Sequence, residues 1–547
     1  MLHSDKRHSK QLLYGLLLVL FLFLLYNLGG WGVIETSEAR YAEISREMWL
    51  SGDWLRPRLL GIQHFHKPPV TYIISALGMH LFGPNAFGAR FFLQISLVVQ
   101  VWLVYLIAKV ILQEQRQALM AAVVYVTIPA VLLSARNLTT DSFLTTFELA
   151  AIYTWLKYKR NTKAAWLYLF YLLLALAFLT KGPVGLIFPI LVALGYGRGL
   201  IAANAPTGHA SKWHHLPAFL LFLVLGGSWY VYLMRQDPQF VDYFLFKHTV
   251  QRYANPETFG RSKPWWFYLV LAPLLSLPWS AILVFQFKRL KELPKSYKRL
   301  FILWIVVPLV FFSFSSSKLI LYILPLFAGQ AILTAWLLTA LPATTLSKVV
   351  QGSFMYLLIL AFALLVAPLV PVGVALPGWA LVFPALMLLC LFILWKREQP
   401  LLQKLLLAVL AFTLLLLPYS THLFGSNPDF TNGSRPIAAA IKERQLDKRP
   451  ILVYNKLLPS LAFELNRSII SLNDGSSKLE REIQFEQNEA WREQLLELNR
   501  PQDKQRLQHL LQQQPVLVTR DKLPKKRKWM LQYFKQQTTV GKWIIYY

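Results

Sequence analysis

Residues 11–34, 264–287, 319–347, 349–395 and 405–428 contain no Asp, Glu, Lys or Arg. Each run, as a helix, is long enough to cross the hydrocarbon of a bilayer, which takes roughly 20 residues. That single pattern governs what the chain can become. The composition agrees: over 547 residues, 55% are hydrophobic and 15% charged, with mean hydropathy +0.42. Ordinary soluble domains carry roughly 25% charged residues. A soluble enzyme, a disordered chain and a collagen-like chain are excluded.

The apolar runs predict thirteen transmembrane helices, near 12–30, 87–112, 118–134, 140–157, 164–179, 183–197, 216–234, 265–287, 299–316, 319–341, 354–374, 377–395 and 403–420. Residues 69–83 are apolar but short and start with two prolines, which suggests a helix lying at the interface. The run from Leu12 has no small-residue cleavage site after it and reads as a retained first helix. The net charge of +29 is spread in short clusters between apolar runs, which argues for a bilayer-pinned protein over nucleic-acid binding. With a cytoplasmic N-terminus, the loops on that side hold 21 Lys or Arg against four acids. The opposite side, apart from the C-terminal tail, holds 14 bases and nine acids, and that bias sets the orientation. The single cysteine, Cys390, can form no intrachain disulfide.

The expected organisation is a transmembrane domain over 1–420 and a small extracytoplasmic α/β domain over 421–547. The first contains a periplasmic loop at 31–68, with interfacial helices, and a later one at 235–264. In the second, 451–455 and 515–519 have the length and branching of buried strands, and 478–500 has helical spacing. The tail shows no catalytic signature and reads as a lid or docking platform.

Polar residues of chemical interest fall on the outer side. The 31–68 loop has five acids and five bases. Glu38 to Met48 is spaced as a short amphipathic helix on which Glu43 and Glu47 can pair with Arg40 and Arg46. Glu35 and Glu38 stand three residues apart near the membrane plane. Either they cap the helix, with Ser37 as N-cap, or at least one is catalytic. Further outer sites are Arg136, Asn137 and Asp141; Lys181 before Gly182 and Pro183; Lys318 after three serines; and His248, Arg252, Glu257, Arg261 and Lys263. A charge near hydrocarbon is costly and normally faces a cavity, a partner or the interface. Each base alone could be a snorkelling anchor. Together they describe an electropositive outer cavity suited to phosphate, and a lipid-linked phosphate can enter it sideways. No phosphate-binding loop of the GxxxxGK or G-x-G-x-x-G type is present, so no nucleotide is expected. Carboxylates can accept a proton from an attacking hydroxyl, while Lys and Arg stabilise a departing phosphate. Glu148 has no assigned role.

The chain also resembles the bacterial membrane glycosyltransferases that include the lipid A aminoarabinose transferases and the protein O-mannosyltransferases. The similar motifs are SEARYAEISREM (37–48), GDW (52–54), KPP (67–69), FGARF (87–91), RNLTTD (136–141), LTKGPVG (179–185), PWWFYL (264–269) and SSKLILYILPL (316–326). The resemblance implies inverting transfer from an undecaprenyl-phosphate sugar at a periplasm-facing site in the inner membrane, often with a divalent metal. Family members commonly have Asp-Glu where this chain has Ser37-Glu38, and Glu where it has His66. Serine is no general base at neutral pH, so Glu35, two residues upstream, could supply the missing carboxylate if the backbone bends differently there, while Glu38 matches the family in kind.

The catalytic candidates are therefore Glu38, Glu35 and Asp141. Donor-phosphate candidates are Lys67, Arg58, Arg40, Arg136, Lys181 and Lys318. A Zn or Mg ion could be held by His66, His248, Glu257 and His64; alternatively His64 and His66 bond the lipid phosphate or the backbone. The acceptor could be lipid A, another glycolipid, a polysaccharide or a protein. The expected surroundings are membrane lipids, with no nucleic acid and no required oligomer. The alternative functions are a transporter or flippase for lipid-linked saccharides, or a non-catalytic binder of them.

Overall fold

The computed structural model describes residues 2–161, 163–197, 200, 212–237, 240–241, 263–315, 317–370 and 373–547. His248 and Glu257, and with them most of the 235–264 loop, lie outside the described residues. The chain divides into two compact units. One comprises 1–26, 93–136 and 140–420, and the other 27–92, 137–139 and 421–547.

The expectation of thirteen crossing helices is corrected. Among the described residues seven helices are long and apolar enough to span a bilayer: Ala86–Leu112, Ala164–Gly195, His215–Gln236, Lys295–Phe314, Ala343–Leu369, Gly378–Lys396 and Leu401–Ser426. Two bent pairs, Gln115–Val126 with Pro129–Arg136 (58°) and Phe267–Leu274 with Trp279–Phe285 (111°), raise the number to nine at most. Proline accounts for both breaks, since it lacks the N–H that the helix ladder needs. The expected pair 164–179 and 183–197 is one span. The expected 319–341 helix shortens to Leu326–Ala340, preceded by a 3₁₀ turn at Ile320–Ile323, and is too short to cross. Thr140–Asn161 is a full-length helix, but Asp141, Glu148, Lys157, Lys159 and Arg160 make it too polar to count. A charge-free window is thus a weaker condition than an unbroken apolar helix of about 20 residues.

The first unit is built on a continuous apolar core running through Leu20, Val104, Tyr125, Ile152, Phe188, Trp279, Trp304, Phe327 and Leu405. Glu114 sets the start of the Gln115–Val126 helix, its carboxylate accepting from the amides of Arg116 (2.8 Å) and Gln117 (2.6 Å).

The second unit joins the first loop to the C-terminal segment. A short hairpin, β1 (Arg58–Leu59) and β2 (Ile62–Gln63), follows the Ser37–Ser51 helix. Gly52 ends that helix in the left-handed conformation (φ 70°), its amide bonded to Met48 O. The Val70–Phe82 helix comes next, and Gly78 lies so close to Gly88 O that an added Cβ would stand at 2.3 Å from it. The C-terminal segment forms a sheet of β3 (Ile451–Tyr454), β4 (Ile470–Asn473), β5 (Leu495–Glu497), β6 (Val516–Thr519), β7 (Gln537–Val540) and β8 (Trp543–Tyr546). Its order is β5-β4-β3-β6-β8-β7. The first four run parallel, and β8 and β7 add antiparallel. Alternation sorts the strand residues onto two faces. Leu452, Leu472, Leu496 and Leu517 pack with Leu507 and Leu511 on one. Ile451, Val453, Val516, Val518 and Ile545 pack on the other, together with Ile44, Met48, Leu59 and Tyr72 of the first loop. Parallel strands covered on both faces read as continuous apolar runs, as ILVY and VLVT do here.

Candidate active site

In the second unit, Glu38 is fully buried and its carboxylate is fully used. Arg90 Nε and Nη2 reach its two oxygens at 2.7 Å each, while Ile34 N (2.7 Å) and Leu138 N (2.9 Å) also donate to it. Arg90, itself without exposed surface, donates to Leu28 O (2.9 Å) and Gly32 O (2.6 Å) and stacks 4.2 Å above the Trp31 ring. This is a clip that fixes residues 28–34 and 137–139 around one bidentate ion pair.

Glu35 differs. Its Oε2 accepts from Ser460 N at 3.2 Å, while Oε1 is buried with no partner among the described residues. Burial pushes its pKa above the ordinary carboxylate value, opposed by the Ser460 hydrogen bond and the charges of Arg40 and Lys456. A carboxyl whose pKa is raised is more basic than an ordinary one, the direction that proton acceptance requires.

Next to these residues the unit gathers a third group. Arg40 meets Glu482 Oε1 at 3.3 Å, and His64 Nδ1 lies 3.2 Å and His66 Nε2 3.8 Å from Glu482 Oε2. One ligating atom from each of His64, His66 and Glu482 falls within a 4.8 Å cluster. Glu482 Oε2 is buried and, among the described residues, in line with no hydrogen-bond donor, so it and the imidazole nitrogens can converge on a shared third point. Burial lowers the basicity of both histidines, and His66 is lowered further by His64 beside it. Burial raises Glu482, but His64 and Arg40 outweigh it and hold the carboxyl well below its usual range. Neutral imidazoles beside an ionised carboxylate are the protonation states that a divalent cation requires. The cluster is compatible with such an ion, and two imidazoles with one carboxylate favour a zinc-like ion over magnesium. Of the other expected residues in this unit, Arg58 is exposed on β1 and Lys67 is half-buried ahead of the Val70–Phe82 helix.

In the first unit, Lys181 ends the Ala164–Lys181 helix and forms a buried ion pair with Asp141. Its ammonium also sits 4.1 Å from the centre of the Tyr322 ring. Glu148, two helical turns beyond Asp141 on the same helix, is fully buried within electrostatic reach of Lys181 and Asp141, and neither of its oxygens has a partner among the described residues. Arg136 is buried and donates to Leu24 O at 2.9 Å. Lys318 is buried and donates to Lys263 O at 2.8 Å. So Asp141 and Lys181 come together, whereas Arg136 and Lys318 are each held on a main-chain carbonyl.

Four contributors escape a reading of the sequence. Arg90 could have been found as a lone arginine in an apolar helix, since such a charge demands a partner. Tyr322 lies inside a noted motif. Nothing local marks Glu482 or Ser460, which become site residues only through folding of the C-terminal segment.

Fold and residues define a class: a polytopic helical membrane protein carrying buried carboxylate–base pairs and a second unit built on a mostly parallel sheet. Within that class, the family described as dolichyl-phosphate-mannose-protein mannosyltransferase matches residues 66–232. The undecaprenyl phosphate-alpha-4-amino-4-deoxy-L-arabinose arabinosyl transferase 2 of Pseudomonas fluorescens (strain Pf0-1) is 31% identical over 340 residues, 60% of this chain and 59% of that protein. The corresponding transferase 1 of Sodalis glossinidius is 34% identical over 331 residues, 59% of this chain and 58% of that protein. The matched region thus spans less than two thirds of these relatives. The crystal structure of ArnT from Cupriavidus metallidurans bound to undecaprenyl phosphate superposes with a TM-score of 0.75 at 22% identity, covering 98% of this chain and 97% of that one. Its apo structure gives the same TM-score. The chain is related to the superfamily of the aminoarabinose and protein O-mannosyl transferases.

Proposed function

We propose that the protein is an inner-membrane glycosyltransferase that moves a sugar from an undecaprenyl-phosphate-linked donor to a cell-envelope acceptor, with inversion at the anomeric carbon. The observation that carries this reading is Glu35, a buried carboxyl with a raised pKa and, among the described residues, one unpartnered oxygen, two residues before the position where the motif lacks its usual aspartate. The acceptor hydroxyl gives its proton to Glu35 Oε1 as its oxygen attacks the anomeric carbon. The bond from that carbon to the phosphate oxygen breaks, and the electron pair leaves with undecaprenyl phosphate. Lys67 and Arg58 are the cations of the second unit that meet this phosphate, and Arg40 holds Glu482. Within the first unit, Lys181, paired with Asp141 and 4.1 Å from the centre of the Tyr322 ring, is a candidate cation for the donor lipid, and its release from Asp141 would accompany that contact. Glu38 serves by holding the 28–34 backbone that leads into Glu35. Arg136 and Lys318 brace main-chain carbonyls.

His64, His66 and Glu482 are the residues that would hold a divalent ion, which when bound supplies a fixed positive charge beside Arg40. The proposed orientation has the N-terminus in the cytoplasm, with Glu35 and the C-terminal domain in the periplasm. Lipid A, another glycolipid, a polysaccharide or a protein remains the acceptor class.

The test uses purified full-length protein in liposomes with a panel of radiolabelled undecaprenyl-phosphate sugars and envelope acceptors. Glu35→Gln should abolish transfer while undecaprenyl phosphate still binds. Transfer at the wild-type rate by that variant would remove Glu35 from the mechanism, and absence of transfer from every donor would defeat the enzymatic reading.

A further inference from the structure

A cleft of about 610 Å³ in the first unit is unrelated to the residues considered so far. It is lined by Leu194, Lys295, Lys298, Arg299, Ile302 and Leu303. Leu194 lies at the end of the Ala164–Gly195 span, and the other five lie at the beginning of the Lys295–Phe314 span. The two spans meet closely because Gly195 has no side chain; a Cβ there would stand 3.1 Å from Leu300 Cα. On the second span, Lys295, Arg299 and Ile302–Leu303 follow helical spacing and form one stripe with the cations at its outer end. The helix is a π-turn over Ile302–Val306, a distortion frequent at functional positions.

The chemistry of this lining is divided. Leu194 and Ile302 are 58% and 50% exposed, which in a span end means contact with lipid. Lys295 and Arg299 are exposed, and among the described residues no carboxylate pairs with either. The nearest acid in sequence, Glu292, is taken by Arg289 at 2.9 Å. Lys298 spends its ammonium on Lys291 O at 2.8 Å. Two cations with no carboxylate partner among the described residues therefore stand over an apolar trough at the junction of two spans. A free phosphate would satisfy the cations and leave the trough bare, and a neutral lipid would do the reverse. Basic pockets between span ends are the sites where anionic headgroups settle.

We infer that the cleft formed by Leu194, Lys295, Arg299, Ile302 and Leu303 is a binding site for an anionic phospholipid. Its phosphate meets Lys295 and Arg299, and an acyl chain lies along Leu194, Ile302 and Leu303. The site makes no use of the transfer chemistry proposed above.

Native mass spectrometry of the full-length protein, delipidated in detergent and then exposed to phosphatidylglycerol or phosphatidylcholine, reads the site directly. The wild type should retain phosphatidylglycerol preferentially. Lys295→Ala with Arg299→Ala should reduce that retention on the order of tenfold or more, given the strength of basic contacts to anionic headgroups. Leu194→Trp, which fills the trough and keeps both charges, should also reduce it. Lys396→Ala with Arg397→Ala, two exposed cations at another span end, should leave it unchanged. Unfolding midpoints equal to wild type would establish that the surface variants remain folded, and a paired variant that falls short is replaced by Leu194→Trp for the comparison. Equal retention of the two lipids by the wild type, undiminished retention in either cleft variant, or displacement of phosphatidylglycerol by millimolar inorganic phosphate would overturn the inference.

Discussion

Arg90→Ala probes the frame on which the proposed base stands. The guanidinium makes two hydrogen bonds to Glu38 at 2.7 Å and one each to Leu28 O and Gly32 O, all without solvent exposure. Its removal leaves a buried carboxylate held only by the amides of Ile34 and Leu138, together with two stranded carbonyls. Breaking a buried ion pair from one side costs roughly 3–5 kcal/mol, because the remaining charge loses its compensation. At roughly 2–4 °C per kcal/mol for domains of 150–250 residues, the unfolding midpoint should fall by roughly 6–20 °C. Glu38→Gln should also destabilise, since an amide turns a donor toward groups that are themselves donors. Removing both partners, as Arg90→Leu with Glu38→Leu, should cost clearly less than the sum of the single losses. Calorimetry in detergent measures the midpoints. Turnover taken well below each midpoint then separates positioning from chemistry: Glu38→Gln should keep the acidic limb of the rate profile that Glu35 provides. An unshifted midpoint in Arg90→Ala, additive double-variant losses, or loss of that acidic limb in a folded Glu38→Gln protein would refute the reasoning.

Glu35 titrates above the usual carboxylate range because burial outweighs its hydrogen bond to Ser460, so transfer should decline as the pH falls through that raised value. The measurement is the pH dependence of initial rate, and a profile flat on the acid side would contradict it. Glu47 is pushed up to about 8, first by burial and then by the neighbouring Glu43 charge. The folded protein therefore holds a proton there that the unfolded chain releases near 4.5, and stability should decrease as pH rises from 4.5 through about 8. Glu47→Gln should flatten that slope in pH-resolved thermal unfolding. Elemental analysis after dialysis against zinc should find an ion in the wild type that His64→Ala and Glu482→Gln both lose, and unchanged content in the two variants would exclude the cluster as its site. Lys181→Met should weaken binding of undecaprenyl phosphate roughly 10–100-fold, the worth of one charge-assisted hydrogen bond, when titrated by fluorescence quenching.

The fold was legible where one physical constraint dominates. Long charge-free runs announced the membrane, and the β-rich runs at 451–455 and 515–519 coincide with β3 and β6. Helix number was not legible, because hydropathy registers where a segment is comfortable but not whether its backbone continues. The prolines at 129, 273 and 278 are plain in the sequence, yet the bend each permits depends on what packs around it. In the same way, Thr140–Asn161 has the length of a span, and its buried Asp141 and Glu148 mark it as something the apolar runs beside it do not describe.

For the site, the limit lies in sequence distance. Glu35, Glu38, Asp141 and Lys181 could be picked out locally, since each is a charge at the edge of an apolar run. What the sequence does not encode is how two neighbouring acids diverge: Glu38 finds Arg90, 52 residues away, and becomes a structural anchor, while Glu35 accepts a hydrogen bond from the Ser460 amide, 425 residues away. The same applies to His64 and His66, whose carboxylate partner is Glu482 in the C-terminal segment. In each case the chemistry open to the residue is set by whichever group the fold brings opposite. For the proposed base this points to Glu35, two residues before Ser37, whose carboxyl is buried and, among the described residues, keeps one oxygen without a partner.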